Sequence, residues 1–245
     1  MIYFRRQQLT LRDQEAITLR FGEFGTDAYT GGIEGHPNVQ PVIREADEAF
    51  PFVFGGSWHT DSPFLERPPS IGILYGVDIP PYGGDTWWAN STLAYQFLSE
   101  RMREMLRHLR VHMSARNVLH KIKSYTGDGN TMKVGSTEIH PQEELMIEGA
   151  CHPLVRTHPE TGEQALYVDQ TYSVCIQGMT DAESSCLIDF LCSHITQPIF
   201  TCRLRWEPGT LAMWDNRSCL HHAFNDHHGM RREMRRTIVE GEVPV

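Results

Sequence analysis

The apolar residues of this chain fall mostly into short runs separated by glycine, proline and polar turn residues, and those runs do not alternate regularly with helical segments. That arrangement constrains the fold more than any other feature. A doubly wound parallel sheet needs a helix after nearly every strand. Here strands are predicted at Ser70–Ile79, closed by Pro80-Pro81, and from Thr86 to Ala89 after the turn Tyr82-Gly83-Gly84-Asp85. Further strands are predicted at His152–Val155 and Gln164–Val168, flanking a hairpin turn THPETG, and at Cys202–Trp206, Thr210–Trp214 and Arg235–Val239. Short antiparallel strands of this kind bury one face each, so the predicted class is mainly β with inserted helices, an antiparallel barrel or jelly roll.

Three segments read as helices. Thr10 is a plausible N-cap for a helix to Phe21, with Asp13 three residues on and Gly22 as the stop. Asn90 or Ser91 caps a predicted helix over Thr92–Leu109, whose Tyr95, Leu98, Met102, Met105 and Leu109 recur every three or four residues. Asp181 caps a third through Leu187, Phe190, Leu191 and Ile195. Residues 25–57 read as long loops with short strands, and 114–148 as a polar excursion or lid.

A length of 245 residues suits one domain spanning 1–245, with enough chain for a sizeable core. Charge excludes some functions. With 22 Lys plus Arg against 31 Asp plus Glu, the net charge is −9, the wrong sign for a nucleic-acid binder. No run of 18 apolar residues marks a membrane span. The opening MIYFRRQQLT lacks the apolar core of an export signal, so a cytoplasmic location is expected. In that compartment the six cysteines are expected to be reduced and mostly buried as small apolar residues.

Thirteen histidines make metal ligands easy to overread. A sharper signal is His-x-Asp/Glu, because residues two apart on an extended segment point the same way. It occurs at His59-Thr60-Asp61 and at His158-Pro159-Glu160, the latter in the predicted hairpin turn. The first gains weight from WDNRSCLHHAFNDHHGMRREMRRTIVEG, which offers a third histidine and several downstream arginines. Two His and one carboxylate leave three positions of Fe(II) open, which suits a chelating co-substrate plus O2. A dicarboxylate co-substrate such as 2-oxoglutarate would also need a cation for its distal end, best an arginine.

With these residues in view, the chain resembles the taurine dioxygenase-like family of Fe(II)- and 2-oxoglutarate-dependent oxygenases. The likeness runs nearly end to end, through FGEFG, WHTDSPFLERPPSIGILYGVDIPPYGGDTWWANSTLAY, HPLVRTHPETGEQALYVDQTY and the WDNR region. It implies a double-stranded β-helix, and an oxygenase that hydroxylates its substrate while releasing succinate and CO2 from 2-oxoglutarate. His59 and Asp61 match the paired metal ligands. His221, seven residues after Trp214, matches the third, with His222 as its competitor. Arg232 matches the arginine that meets the distal carboxylate of 2-oxoglutarate, and Thr86 the hydroxyl beside it. Arg236 matches a position facing an anionic group of the primary substrate, and Tyr172 is a further substrate-side candidate. Asp215 and Asn216 are expected to orient the turn around the ligands.

The chain departs from taurine-specific members, in which a His and a Tyr after FGE and an Asn before His-x-Asp touch substrate. Those positions fall near Asp27, Thr30 and Gly55 here, which counts against taurine. The segments IEGHP, PVIREADE and GMTDAES look closer to members that attack aryloxyalkanoates. The chain opens in what resembles a later strand, so the usual first strands are expected to be missing. The expected cofactors are Fe(II), 2-oxoglutarate and O2. The expected partner is a small-molecule anion of the aryloxyalkanoate, sulfonate or alkyl sulfate type, and the chain is expected to be a homo-oligomer. The alternatives are a zinc-dependent hydrolase on the same ligands, or a catalytically inactive binding protein on the same fold.

Overall fold

The computed structural model describes residues 1–48, 55–126, 132–134 and 137–245. It opens with β1 (Ile2–Phe4), α1 (Leu11–Thr18) and β2 (Gln40–Arg44). The middle holds β3 (Ile71–Asp78), β4 (Thr86–Asn90), α2 (Ser91–Gln96), α3 (Glu100–Leu106), β5 (Arg110–Met113) and α4 (Arg116–Thr126). There follow β6 (Met132–Val134), β7 (Thr137–Ile139), α5 (Glu143–Glu148), β8 (Ala150–Pro153), β9 (Val155–Thr157), β10 (Gln164–Leu166) and β11 (Ser173–Ile176). The last part holds α6 (Asp181–Ile195), β12 (Thr201–Leu204), β13 (Leu211–Asp215), β14 (Cys219–Ala223) and β15 (Arg232–Val239).

Two antiparallel sheets form the frame: a five-stranded one ordered β1-β13-β3-β15-β2 and a three-stranded one ordered β12-β4-β14. Their inner faces meet in one core, where Leu74, Ala212, Trp214 and Met234 of the larger sheet pack with Trp88 and Leu204 of the smaller, and with Trp206 just beyond it. The period of two in strand side chains explains the rest. Ile73 and Tyr75 of β3, with Leu211 and Met213 of β13, point the other way and are covered by Leu9 and by Ile17 of α1. Gly72 sits where a Cβ would lie 2.5 Å from the Trp214 ring, so only glycine lets that indole enter the sandwich. This is the jelly-roll arrangement that the sequence implied. A larger apolar cluster on the far side of the small sheet joins α2, α3 and α6 to β5, β10 and β11.

Several local expectations are met. Thr10 and Asp13 form a reciprocal capping box on α1, and β9 and β10 pair around the 158–163 turn. Others need correction. The helix expected over 92–109 is two helices, because Ser99 accepts a hydrogen bond from Met102 N and starts α3 afresh. Met105, counted as core, is 45% exposed. The cap of α6 is Thr180 rather than Asp181, with Glu183 closing the box. The cysteines are unpaired as expected, but only Cys192 and Cys219 are buried. The 114–148 excursion carries α4, β6, β7 and α5 among its described residues.

Candidate metal centre and its cavity

The segment carrying His59 adds itself to the small sheet beside β14. His59 N donates to His221 O at 3.0 Å, and His221 N donates to His59 O at 2.7 Å. This two-way bridge brings the imidazoles to 4.1 Å between ring centroids. Asp61, two residues on, points to the same side, and its Oδ1 lies 3.8 Å from His221 Nε2. One ligand atom from each of His59, Asp61 and His221 lies within 4.8 Å of the others, and all three residues are buried.

The surroundings prepare each group for a cation. His59 Nδ1–H donates to Ser57 O at 2.8 Å, which leaves Nε2 with its lone pair for a metal. Burial holds the His221 imidazolium well below its usual range, so that ring is neutral and able to ligate. Burial pushes the Asp61 carboxyl up, with nearby His59 partly opposing. Two imidazoles and a buried carboxylate, with Arg236 Nη1 at 3.3 Å as its only cationic side chain among the described residues apart from the histidines, form a donor set that suits a divalent ion. Asn216 orients Asp61: its Nδ2 donates to Asp61 Oδ2 at 3.3 Å, while its Oδ1 accepts from Trp214 Nε1 at 2.8 Å. Asp169, fully buried, accepts from the amides of Thr171 and Tyr172 and from Thr60 N.

The competing ligand readings separate cleanly. His222 faces away from the triad, stacked on Phe224 at 4.8 Å and set edge-on to Trp58 at 5.6 Å. The second His-x-Glu is no ligand pair. His158 Nε2 bonds Asp215 Oδ2 at 3.0 Å, and Glu160 reaches out to Arg217 Nη1 at 2.9 Å.

One cavity runs from the triad past Tyr29 and Tyr172 to Arg232 and Arg236. Two of its arginines differ in partnership. Arg236 donates to Asp27 and, through Nη1, to Asp61 Oδ1 at 3.3 Å. Its cost of burial is therefore met in part by the protein's own carboxylates. Arg232 is 8% exposed, donates only to Gly84 O at 3.1 Å, and has no ion pair among the described residues. Burial pushes its pKa down to about 10, with Asp85 and Asp226 partly opposing, so it stays charged at neutral pH. Neighbouring Arg231 is spoken for by Glu45, Asp78 and Glu233.

Thr86 is buried in β4 and does not line this cavity directly; Trp206 Nε1–H donates to its Oγ1 at 2.9 Å. That bond leaves the Thr86 hydroxyl proton free to be donated. Tyr172 does line the cavity, and its hydroxyl meets that of Tyr29 at 3.0 Å. Burial raises both phenols, so both stay protonated.

Comparison with known proteins agrees with this geometry. Residues 1–238 match the model of the taurine catabolism dioxygenase TauD, TfdA family. The chain belongs to the TauD, TfdA family of dioxygenases. It is 32% identical to an alkylsulfatase of Acinetobacter baylyi over 257 residues, covering 99% of this chain and 74% of that protein. It is 38% identical to an alpha-ketoglutarate-dependent sulfate ester dioxygenase of Pseudomonas putida over 192 residues, covering 77% of this chain and 61% of that one. A crystal structure of a taurine dioxygenase from Burkholderia xenovorans superposes with a TM-score of 0.77 at 36% identity, covering 99% of this chain and 77% of the other. As a TauD, TfdA family member the chain is an oxidoreductase whose reaction class uses Fe(II), 2-oxoglutarate and O2. No described helix is long and apolar enough to cross a membrane.

Tyr29 and His227 line the cavity, and the sequence did not single them out. They carry no motif, and only the fold brings their loops towards the His59-Asp61-His221 cluster.

Proposed function

We propose that this dioxygenase oxidises a small organic sulfate ester, with sulfonates and aryloxyalkanoates as the neighbouring substrate classes. His59, Asp61 and His221 would hold Fe(II), and Arg232, backed by the Thr86 hydroxyl, would hold the distal carboxylate of 2-oxoglutarate. The observation that carries the reading is the unpaired Arg232 at one end of a cavity whose other end is a buried His-Asp-His triad. A buried guanidinium without a carboxylate is costly, so it favours an anion that enters from outside. A zinc hydrolase or an inert binder would have no use for a cation at that distance from the triad.

When bound, iron and 2-oxoglutarate supply the oxidising power, through decarboxylation of 2-oxoglutarate to succinate and CO2. The protein's own residues do the rest. Trp214 and Asn216 fix the Asp61 carboxylate. Arg236 retains an unpartnered Nε–H in the cavity and can meet a sulfate oxygen there. Tyr29 and Tyr172 wall the same space with neutral hydroxyls and ring faces that exclude water. Hydroxylation of the carbon next to the ester oxygen gives an adduct that collapses to an aldehyde and sulfate.

The decisive test is incubation of the iron-loaded protein with 2-oxoglutarate and a medium-chain alkyl sulfate, measuring succinate, aldehyde and sulfate. Equal yields of the three are expected. Sulfate release that needs neither 2-oxoglutarate nor O2 would mean hydrolysis instead.

A further inference from the structure

Beside Arg232 the cavity holds a second polar side chain with nothing to bind. His227 is 2% exposed and lines the same cavity, and neither of its ring nitrogens has a hydrogen-bond partner. The Nε of Arg232 is likewise unpartnered. The two groups converge on Gly84: a Cβ built there would lie 3.0 Å from Arg232 Nε and 3.4 Å from His227 Nδ1. A buried imidazole normally satisfies at least one nitrogen, since leaving both unmade forfeits the hydrogen bonds it had in water.

The loop holding His227 is fastened in place. Gly84 N donates to Asp226 Oδ1 at 2.7 Å, Phe224 N to Asp85 O at 2.9 Å, and Met230 N to His227 O at 3.2 Å. The first two bonds tie the 224–230 loop to the turn before β4 and the third closes the loop on itself, so His227 is held beside Arg232. Its charged neighbours are Arg232, Arg44, Asp226 and His228, and burial is the main reason that its imidazolium is held down to about 4. At neutral pH the ring is therefore neutral, with one N–H to give.

We propose that His227 is a second anchor for the distal carboxylate of 2-oxoglutarate, donating a ring N–H to one oxygen while Arg232 holds the carboxylate from its other side. This rests on the dioxygenase reading above. It assigns to His227 the discrimination between a five-carbon dicarboxylate and shorter 2-oxo acids. Arg232 supplies charge, and the imidazole supplies a directed donor from a buried position.

The test uses the zinc-loaded protein, which binds without turning over, and calorimetric titration with 2-oxoglutarate and with 2-oxobutyrate, which lacks the distal carboxylate. Wild type should prefer 2-oxoglutarate strongly. His227→Phe should lose about tenfold in 2-oxoglutarate affinity, as for one hydrogen bond to a charged group, and should leave 2-oxobutyrate binding unchanged. His227→Gln, which keeps an N–H donor, should recover part of the loss. Equal weakening of both ligands, or of neither, would overturn the assignment. If wild type binds neither 2-oxo acid, it is the dioxygenase reading that fails. Should both variants misfold, the wild-type protein decides: with ¹⁵N-labelled histidine, the His227 resonances should move on adding 2-oxoglutarate and stay put with 2-oxobutyrate. Their indifference to both ligands would sink the proposal.

Discussion

His59 and His221 exchange both of their backbone hydrogen bonds, so the two imidazoles are held 4.1 Å apart by the sheet itself. The geometry of this candidate ligand pair is thus a property of the fold. We predict that His59→Ala, Asp61→Ala and His221→Ala each abolish succinate formation while leaving circular dichroism unchanged. His222→Ala should keep its activity, because that ring packs on Phe224 and Trp58. Metal content after dialysis is the second check. A folded His221→Ala variant that retained iron and turnover would remove His221 from the ligand set.

A second prediction separates three neighbouring arginines. Arg232→Ala should raise the 2-oxoglutarate KM by the equivalent of about 2 to 5 kcal/mol, the range for truncating one member of a buried charged pair. Arg231→Ala should barely move it, since Arg231 serves Glu45, Asp78 and Glu233. Thr86→Val should cost roughly 1 kcal/mol, as for one neutral donor. Steady-state kinetics at saturating substrate decide among these. A large effect at Arg231 with none at Arg232 would move the anchor.

Those arginines also show what could be read from the sequence. His-x-Asp was legible because its spacing alone places two side chains on one face. The strands β3 and β13 were legible as apolar runs closed by turn residues, whereas the outward facing of Ile73 and Met213 and the inward facing of Leu74 and Trp214 came only with the two packed sheets. Which arginine is left unpaired was not legible. The answer depends on Asp27, Glu45 and Asp78, which come from remote segments that only the folded sheet assembles. The split between α2 and α3 was missed because apolar spacing carries through Tyr95, Leu98 and Met102 regardless. Only the cap at Ser99 marks the break. His227 had no motif at all; its meaning lies in what fails to touch it.

A third prediction concerns pH. His152 is 2% exposed, and its Nε2–H is shared between Pro63 O at 2.8 Å and Leu65 O at 3.0 Å, just past Asp61. Burial, with Arg156 and Arg110 nearby, lowers its pKa to about 4 from 6.5. The unfolded chain then binds more protons than the folded one between those values. This contribution to stability is therefore complete above pH 6.5 and shrinks as pH falls towards 4. From pH 7.5 to 5 the loss should be about 2 kcal/mol. Urea denaturation of wild type against His152→Gln should show that much extra loss in wild type. Parallel pH profiles would show that His152 is not held neutral.

The last prediction concerns Arg236 and the substrate. Asp27 compensates this guanidinium from behind while accepting hydrogen bonds from Tyr29 N at 2.9 Å and Thr30 N at 2.7 Å. The Asp27 side chain is 3% exposed and accepts from Arg236, Tyr29 N and Thr30 N, so it sets the charge that a substrate meets without offering an oxygen to it. Asp27→Asn keeps the shape and removes the negative charge. Arg236 should then attract an anion more strongly, and the KM for an alkyl sulfate should fall. Arg236→Gln should raise it. Each change should correspond to about 1 to 2 kcal/mol, since Arg236 is partly solvated and each variant alters one charge. Neutral analogues, such as the corresponding alkyl methyl ethers, should respond to neither variant. The measurement is succinate release across alkyl sulfates, sulfonates, aryloxyalkanoates and the neutral analogues in all three proteins. Opposite shifts for anions alone would place the anionic group at Arg236. If both variants moved anions and neutral analogues together, Arg236 would act on Asp61 and the metal instead. Selectivity among substrates would then lie with the Tyr29 and Tyr172 walls.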